Sequence, residues 1–281
     1  MSIAASSIAL VLLSGFFHAS WNLMTKSSAD KNAFLWYCQL IPLVGFMPWA
    51  ILNWQDASFT IESSLLLCAS AVIHGCYCLL LAKSYTVGDL SQAYPIMRGT
   101  SPLLVPLLSV AWFHESLSFF GWVGLLLILA GIATINGLRL SASPAVTGYA
   151  LAVGLCIAAY TLVDRQALAY VEPPLLNEMT NIGNFIALSF VAYRPAALRA
   201  EWRMNKRWIV AASVLAPSGY ILFLYAQSGA PLAVLAPMRE IGTVFGTVLA
   251  VAVLRERQGA RRLLASVLIT AGIFCIGFLH A

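Results

Sequence analysis

The chain alternates between long apolar runs and short polar breaks. Ten runs stand out: Ile3–Thr25, Ala33–Leu52, Ser63–Tyr85, Ser91–Phe113, Phe119–Asn136, Thr147–Ala169, Leu175–Tyr193, Trp208–Ser228, Leu232–Leu254 and Arg262–Leu279. Each is close to the roughly 20 apolar residues that a helix needs to cross the hydrocarbon core of a bilayer. None alternates in polarity as a barrel strand would, so the pattern predicts helices throughout. The breaks are clear: Asn53–Glu62 is polar, Ser141–Pro144 is a Ser/Pro linker, and Arg194–Arg207 is strongly basic. The first run carries no Lys or Arg before Lys26 and is longer than the apolar core of a signal peptide, so it is expected to stay as a membrane helix.

Composition sharpens the class. Of 281 residues, 60% are hydrophobic and 10% charged, and mean hydropathy is +0.85. A soluble domain carries about 25% charged residues, which argues against a soluble enzyme, a nucleic-acid binder and a disordered chain. The expected fold is an all-α polytopic membrane protein with ten transmembrane helices. The net charge of +5 calls for no nucleic-acid partner, because membrane proteins gather Lys and Arg in cytoplasmic loops. Thirteen of the sixteen Lys and Arg lie in the connections after runs 1, 3, 5, 7 and 9 or at the run ends beside them, and only Arg165 lies toward the opposite set. That asymmetry predicts both termini outside the cytoplasm. All six cysteines fall in apolar runs and no His stands at zinc-finger spacing, so they read as small buried thiols, with no metal or cofactor expected. Phosphate-loop, dinucleotide-binding, HExxH and nucleophile-elbow motifs do not occur, which disfavours ATP-driven transport by this chain alone.

The sequence also repeats itself. At an offset of 141, Gly88 matches Gly229, Met97-Arg98 matches Met238-Arg239, Glu115 matches Glu256, and Ala130-Gly131-Ile132 matches Ala271-Gly272-Ile273. Earlier in the halves the offset is 139, pairing Gly15, Ala19, Trp21 and Lys26 with Gly154, Ala158, Tyr160 and Arg165. Two five-helix repeats, residues 1–140 and 145–281, follow. Because five is odd, the second enters the membrane inverted, which predicts a pseudo-twofold axis in the membrane plane and a midplane site between the halves.

Arg98 and Arg239 are the leading site candidates. Each lies seven or eight residues inside an apolar run, where an ionised side chain costs several kcal/mol on insertion scales. Inverted symmetry brings them toward one axis, and paired guanidinium groups would grip a carboxylate, phosphate or phosphonate. The structural alternative is that Glu240 neutralises Arg239, or that both arginines snorkel to an interface. Pro95, Pro102 and Pro106 in run 4 and Pro231 and Pro237 in run 9 fit helices broken around a cavity. His18, Trp21 and Asn22 share one helical face in run 1, at the depth of Tyr160, Thr161 and Asp164 in run 6. They could contact substrate, with His18, Asp164 or Glu240 handling a coupling proton; interhelical hydrogen bonding is the plainer reading of each. His74, Tyr77 and Tyr94 are weaker candidates. Glu115 and Glu256 each suit a helix N-terminus, and Gly242-x-x-x-Gly246 offers a helix-packing face.

The ten-run duplication, the early His18-Ala-Ser-Trp-Asn22 stretch, and the segments PIMRGTSPLLVPLLSVAWFHES and PMREIGTVFGTVLAVAVLRER resemble the drug/metabolite transporter superfamily, specifically EamA-like permeases. Glu115 and Glu256, with Gly131 and Gly272 beyond them, carry the most specific part of the likeness. The Met-Arg pair is similar to a subgroup linked to phosphonate utilisation. The resemblance implies secondary transport, often export, of amino acids and related metabolites across the bacterial inner membrane. Its members usually have both termini cytoplasmic, the reverse of the charge count here. The expected function is therefore a permease for a small anionic or zwitterionic metabolite, working by alternating access and not an enzyme. The alternatives are a flippase for a lipid-linked substrate and an intramembrane enzyme acting on a lipid or isoprenoid.

Overall fold

The computed structural model describes residues 5–26, 28–55, 57–87, 90–136, 144–252 and 259–279, without the side chains at 26, 82, 85–87, 90–95, 98, 135–136 and 250. Among the described residues the chain is helical, with no strand: α1 (Ala5–Lys26), α2 (Lys31–Gly45), α3 (Met47–Leu52), α4 (Ile61–Val87), α5 (Leu90–Trp112), α6 (Phe119–Asn136), α7 (Pro144–Ala167), α8 (Pro173–Ala192), α9 (Pro195–Gly229), α10 (Leu232–Met238), α11 (Ile241–Ala252) and α12 (Ala260–Phe278). Among the described residues six stretches are long and apolar enough to cross a membrane: Ala5–Thr25, Ile61–Leu81, Pro144–Ala167, Pro195–Gly229, Leu232–Leu249 and Ala260–Phe278. Shorter apolar helices cover Gly99–Trp112 and Phe119–Thr134. Large apolar side chains such as Ile61, Leu126, Phe190 and Val267 face outward, as they do where the solvent is lipid. Hydroxyls along the helices bond back to their own backbone, for example Thr100 to the Ile96 carbonyl at 2.6 Å and Thr161 to Ile157 at 2.6 Å. Such bonds satisfy a polar group where no water is present.

Two of the ten runs are broken. Run 2 breaks at Phe46, between Pro42 inside α2 and Pro48 at the start of α3. Run 9 breaks at Arg239-Glu240, just after Pro237. The basic stretch Arg194–Arg207, expected as a connecting break, is instead helical and continues into the following run. Pro195 stands at its first turn, where a proline's fixed φ suits a helix, and Ala, Leu, Arg, Glu and Met follow with good helix propensity. Asn205 leaves helical geometry (φ −122°, ψ 17°) and marks the kink between the basic segment and the apolar one.

Close approaches reveal the symmetry. A Cβ added to Gly124 of α6 would stand 2.5 Å from the Gly272 carbonyl oxygen of α12, and one added to Gly131 would stand 3.0 Å from the Ala265 carbonyl oxygen. At the repeat offset of 141, Gly131 is equivalent to Gly272 and Gly124 to Ala265, so the two contacts are copies related by a twofold operation. As numbers rise along α6 they fall along α12, so these equivalent helices run antiparallel and the axis lies perpendicular to them. A second pair obeys the same operation. Gly15 of α1 abuts Ile241 of α11, and its counterpart Gly154 of α7 abuts Thr100 of α5, the position equivalent to Ile241. A Cβ added to Gly242 would likewise stand 3.1 Å from the Gly15 carbonyl oxygen, whereas one on Gly246 would meet open space, so only the first glycine of that motif is a packing position.

Glu115 links the halves at one end. Its carboxylate accepts from the backbone N–H of Leu232 (2.9 Å) and Ala233 (2.7 Å), capping α10 in the other repeat. The next helix in sequence, α6, is capped by Ser118, whose hydroxyl accepts from the Gly121 N–H at 3.2 Å. The chain reverses just before Glu115 at His114, held at φ +54°. Glu256 and the linker residues 141–143 lie outside the described residues.

Gly272→Val should weaken the fold by about 1–3 kcal/mol, because neither helix can retreat without losing the partner contact. Gly246→Ala, placed in open space, should be neutral or slightly stabilising in the same detergent melting assay. Glu115→Ala should cost about 1–2 kcal/mol by orphaning two helix N–H groups, and Glu115→Gln should recover part of that.

Candidate functional site

At the centre of the helix packing, α4, α7 and α9 converge on one carboxylate. Asp164 of α7 is fully buried. Ser70 of α4 donates its hydroxyl to Asp164 Oδ1 at 2.5 Å, and the Tyr220 hydroxyl of α9 donates to Oδ2. His74, one turn beyond Ser70 on the same face of α4, brings Nε2 to 3.8 Å from Oδ2. Its Nδ1 lies 3.0 Å from the Ser70 carbonyl oxygen. A carbonyl only accepts, so Nδ1 carries a proton and Nε2 is the nitrogen left to gain or lose one against Asp164. Tyr160, one turn before Asp164, stacks on the imidazole with ring centroids 3.9 Å apart, and Tyr77 meets Tyr160 edge-on at 5.9 Å.

The break in run 9 adds a cation beside this cluster. Pro237 lacks an N–H, and the chain tightens after it through three-residue bonds: Glu240 N–H to Pro237 O (3.0 Å), Gly242 N–H to Arg239 O (3.1 Å) and Thr243 N–H to Glu240 O (2.9 Å). Arg239 therefore leaves from a turn between two helices. Its Cζ sits 4.5 Å above the Phe223 ring and 5.4 Å from the Tyr220 ring centroid. Among the described residues no carboxylate lies within ion-pair distance of this half-buried guanidinium. Neighbouring Glu240 is buried and accepts from the Thr243 hydroxyl at 3.2 Å. Arg239 is near enough to His74 and Tyr220 to act on both electrostatically. A cation resting on aromatic faces keeps its N–H fork available for a planar anion.

The other sequence candidates fall elsewhere or outside the description. The side chains of Arg98 and Tyr94 lie outside the described residues, so the meeting of the two arginines is not part of this geometry. Trp21 is partly buried in an apolar cluster with Phe34, Cys38, Ile209 and Ala212, where α1, α2 and α9 meet. Asn22 is exposed and donates to the His18 carbonyl at 2.7 Å, and the His18 ring stands edge-on to Trp21 at 5.3 Å. Of this face, Trp21 thus packs in the α2–α9 cluster and Asn22 bonds to its own helix. The six cysteines are free, but only Cys38 is buried and Cys68 and Cys76 are exposed, contrary to the reading of six buried thiols. A hollow of about 440 Å³ on the outer flank of α4, lined by Phe59, Ile61, Leu65 and Cys68 among others, carries no charged group.

Sequence reasoning passed over Ser70 and Tyr220 and ranked His74 and Tyr77 low. A usable signal was present on α4, where Ser70, His74 and Tyr77 follow at i, i+4 and i+7 on one face of an apolar helix. Tyr220 had none, since its partner Asp164 lies 56 residues away.

The loops at one end hold this register. Ser58 N–H donates to the Tyr170 carbonyl at 2.9 Å, tying the approach to α4 to the turn after α7. The Tyr170 hydroxyl also bonds Glu62, and that carboxylate holds the phenol above its ordinary range. Beside them, Arg165 donates to the Gln227 carbonyl near the end of α9.

A family model described as the EamA-like transporter family matches residues 5–137 and again 146–278. No curated protein matches the chain. A solved structure titled only "Crystal structure of protein" has a TM-score of 0.77 at 17% identity over 98% of each chain, a likeness of fold alone. With two copies of the family pattern covering nearly all its length, and several helices able to span a bilayer, the chain belongs to the EamA-like transporter family, membrane proteins that carry small molecules and are not enzymes.

Proposed function

We propose that this protein is a secondary transporter of a small anionic or zwitterionic metabolite, such as an amino acid or phosphonate, across the inner membrane by alternating access. Arg239 grips the anionic group of the substrate, and the His74–Asp164 pair carries a coupling proton. The carrying observation is a guanidinium seated on Phe223 and Tyr220, without a carboxylate partner among the described residues, next to a buried His–Asp contact. Such a cation is kept inside a membrane protein at a cost and is matched by a partner that arrives. By the repeat, Arg98 is assigned the same anion-binding role in the first half. All ten runs cross the bilayer, with runs 2 and 9 crossing as broken helices. Both termini lie outside the cytoplasm, as thirteen basic residues on one set of connections favour.

Tyr160 is stacked on His74, and Tyr77, edge-on to Tyr160, suits the ammonium end of a zwitterion through its ring face. Asp164 takes no direct part in holding substrate, because it is fully buried behind Ser70, His74 and Tyr220. Its role is to orient Tyr220 beneath Arg239 and to share a proton with His74.

Thermal-shift screening of the purified protein against amino acids, phosphonates and phosphate esters should reveal a stabilising ligand. In proteoliposomes loaded with that ligand, Arg239→Gln and Arg98→Gln should each slow flux by roughly 10–100-fold, the loss of one charge-assisted contact of about 1.5–3 kcal/mol. Arg239→Lys should recover little, since it keeps the charge but not the fork. Wild-type flux with both arginines replaced would refute the site. Asp164→Asn should leave the ligand-induced melting shift in place while flux stops responding to an imposed proton gradient; an unchanged response would remove Asp164 from coupling. Reporter fusions active at both termini only outside the cytoplasm would agree with the charge count, and active cytoplasmic fusions would reverse it.

A further inference from the structure

Away from the transport site, the first ten residues of α9 build a surface whose chemistry the transport reading does not use. This segment, residues 195–204, ends at the Asn205 kink and leads directly into the membrane-crossing part of α9. Arg199 and Arg203 are exposed along it, Arg194 is exposed just before it and Lys206 and Arg207 just after the kink, and Lys31 is exposed at the neighbouring start of α2. Trp202, Met204 and Trp208 are exposed among them.

The acidic residues of this region are turned inward. Glu201, in the middle of the basic segment, is 1% exposed. Its Oε2 accepts from the backbone N–H of Ala29 (3.1 Å) and Asp30 (2.9 Å), and its Oε1 accepts from the Asn205 amide (2.7 Å). Asp30 is spent on capping α2 through Asn32 N–H (3.0 Å) and Ala33 N–H (3.1 Å) and on a 3.4 Å contact with Arg194. The inner side of the segment is fixed as well: Leu198 is buried, its carbonyl accepts from the Tyr37 hydroxyl at 3.3 Å, and the Tyr37 and Trp202 rings lie 5.1 Å apart. The outcome is a rigidly held helix whose acid faces the protein and whose outer face offers only cations and aromatic or apolar side chains.

We propose that this face, centred on Arg199, Arg203, Lys206 and Arg207, is a docking site for the phosphodiester headgroups of anionic phospholipid. Arg199 and Arg203 are one turn apart on the same side of the helix, a spacing at which two guanidinium groups can share one headgroup or two adjacent ones. Trp202 and Trp208 stand beside Arg203 and Arg207, and tryptophan settles where acyl chain meets headgroup. A helix that is basic on one side, anchored on the other and bordered by tryptophan matches the requirements for binding an anionic membrane surface. Because the segment is continuous with α9, which carries Tyr220 and Phe223, lipid bound here pins the end of the helix that floors the Arg239 site.

The test uses the full-length protein. Native mass spectrometry after equilibration in equimolar phosphatidylglycerol and phosphatidylcholine should show phosphatidylglycerol retained preferentially, and adding it to protein in phosphatidylcholine nanodiscs should raise the melting temperature. A variant carrying Arg199→Gln, Arg203→Gln, Lys206→Gln and Arg207→Gln should lose this preference by roughly tenfold or more, with an unchanged melting temperature in phosphatidylcholine. Arg261→Gln with Arg262→Gln, which removes exposed charge from the start of α12, should retain it. Should the fourfold variant not fold, Arg199→Gln with Arg203→Gln is read in its place. Equal retention by the site variant, equal loss in the α12 variant, or an equal melting shift with millimolar inorganic phosphate would each overturn the proposal, the last by making the face a site for small anions.

Discussion

A single carboxylate constrains the interior of this protein. Asp164 is fully shielded in a chain built to sit in hydrocarbon, where an uncompensated charge is among the costliest groups a helix can hold. Its compensation comes from helices far apart in sequence: Ser70 and His74 from α4, and Tyr220 from α9. Those partners fix the rotation of α4 and α9 about their own axes, because a turn of either by one residue would move the donors out of reach. The same tyrosine that donates to Asp164 lies under Arg239. The negative group of α7 and the positive group at the α10–α11 break are therefore held to one another through an aromatic ring rather than by a direct ion pair.

The scaffold is symmetric and its chemistry is not. Gly124 against Gly272 and Gly131 against Ala265, like Gly15 against Ile241 and Gly154 against Thr100, are contacts repeated across the twofold axis. The shared operation explains why small residues recur at the repeat offset, since each contact uses both halves. Yet at the offset of 139 the counterpart of Asp164 is Thr25, whose hydroxyl simply bonds back to the Trp21 carbonyl at 3.0 Å. Trp21, counterpart of Tyr160, is packed among apolar side chains. The duplication thus preserved backbone packing in both halves, while the buried acid occurs in one and draws its hydroxyl donors from both, Ser70 from the first repeat and Tyr220 from the second.

How far the sequence could lead depended on the range of each interaction. Apolar runs, the repeat and the break near Pro237 are written in local pattern, and all three are visible in the helices. The basic stretch after run 7 is also local: its charge density suggests a connection, yet its residues have good helix propensity and Glu201 and Leu198 give the helix an inner face. Glu115 reads from sequence as the cap of a helix, and it is one, although of α10 rather than of its own successor α6. No spacing rule identifies a target 117 positions away. The face shared by residues 18, 21 and 22 shows another limit: its periodicity is local, but one helix's face says nothing of which neighbours will cover it.

The proposed site contains its own coupling. An anion bound at Arg239 and a proton held between His74 and Asp164 are opposite charges in one pocket of low dielectric, linked by Tyr220. Their attraction means that each favours the binding of the other, and linkage makes that effect equal in both directions. A carrier with this property needs no separate device to keep substrate and proton together. Loading either one makes the doubly loaded state the more favourable, and releasing either weakens the hold on its companion. Under the proposed alternating-access cycle only access would then have to change, and the close glycine contacts recur on both sides of the axis.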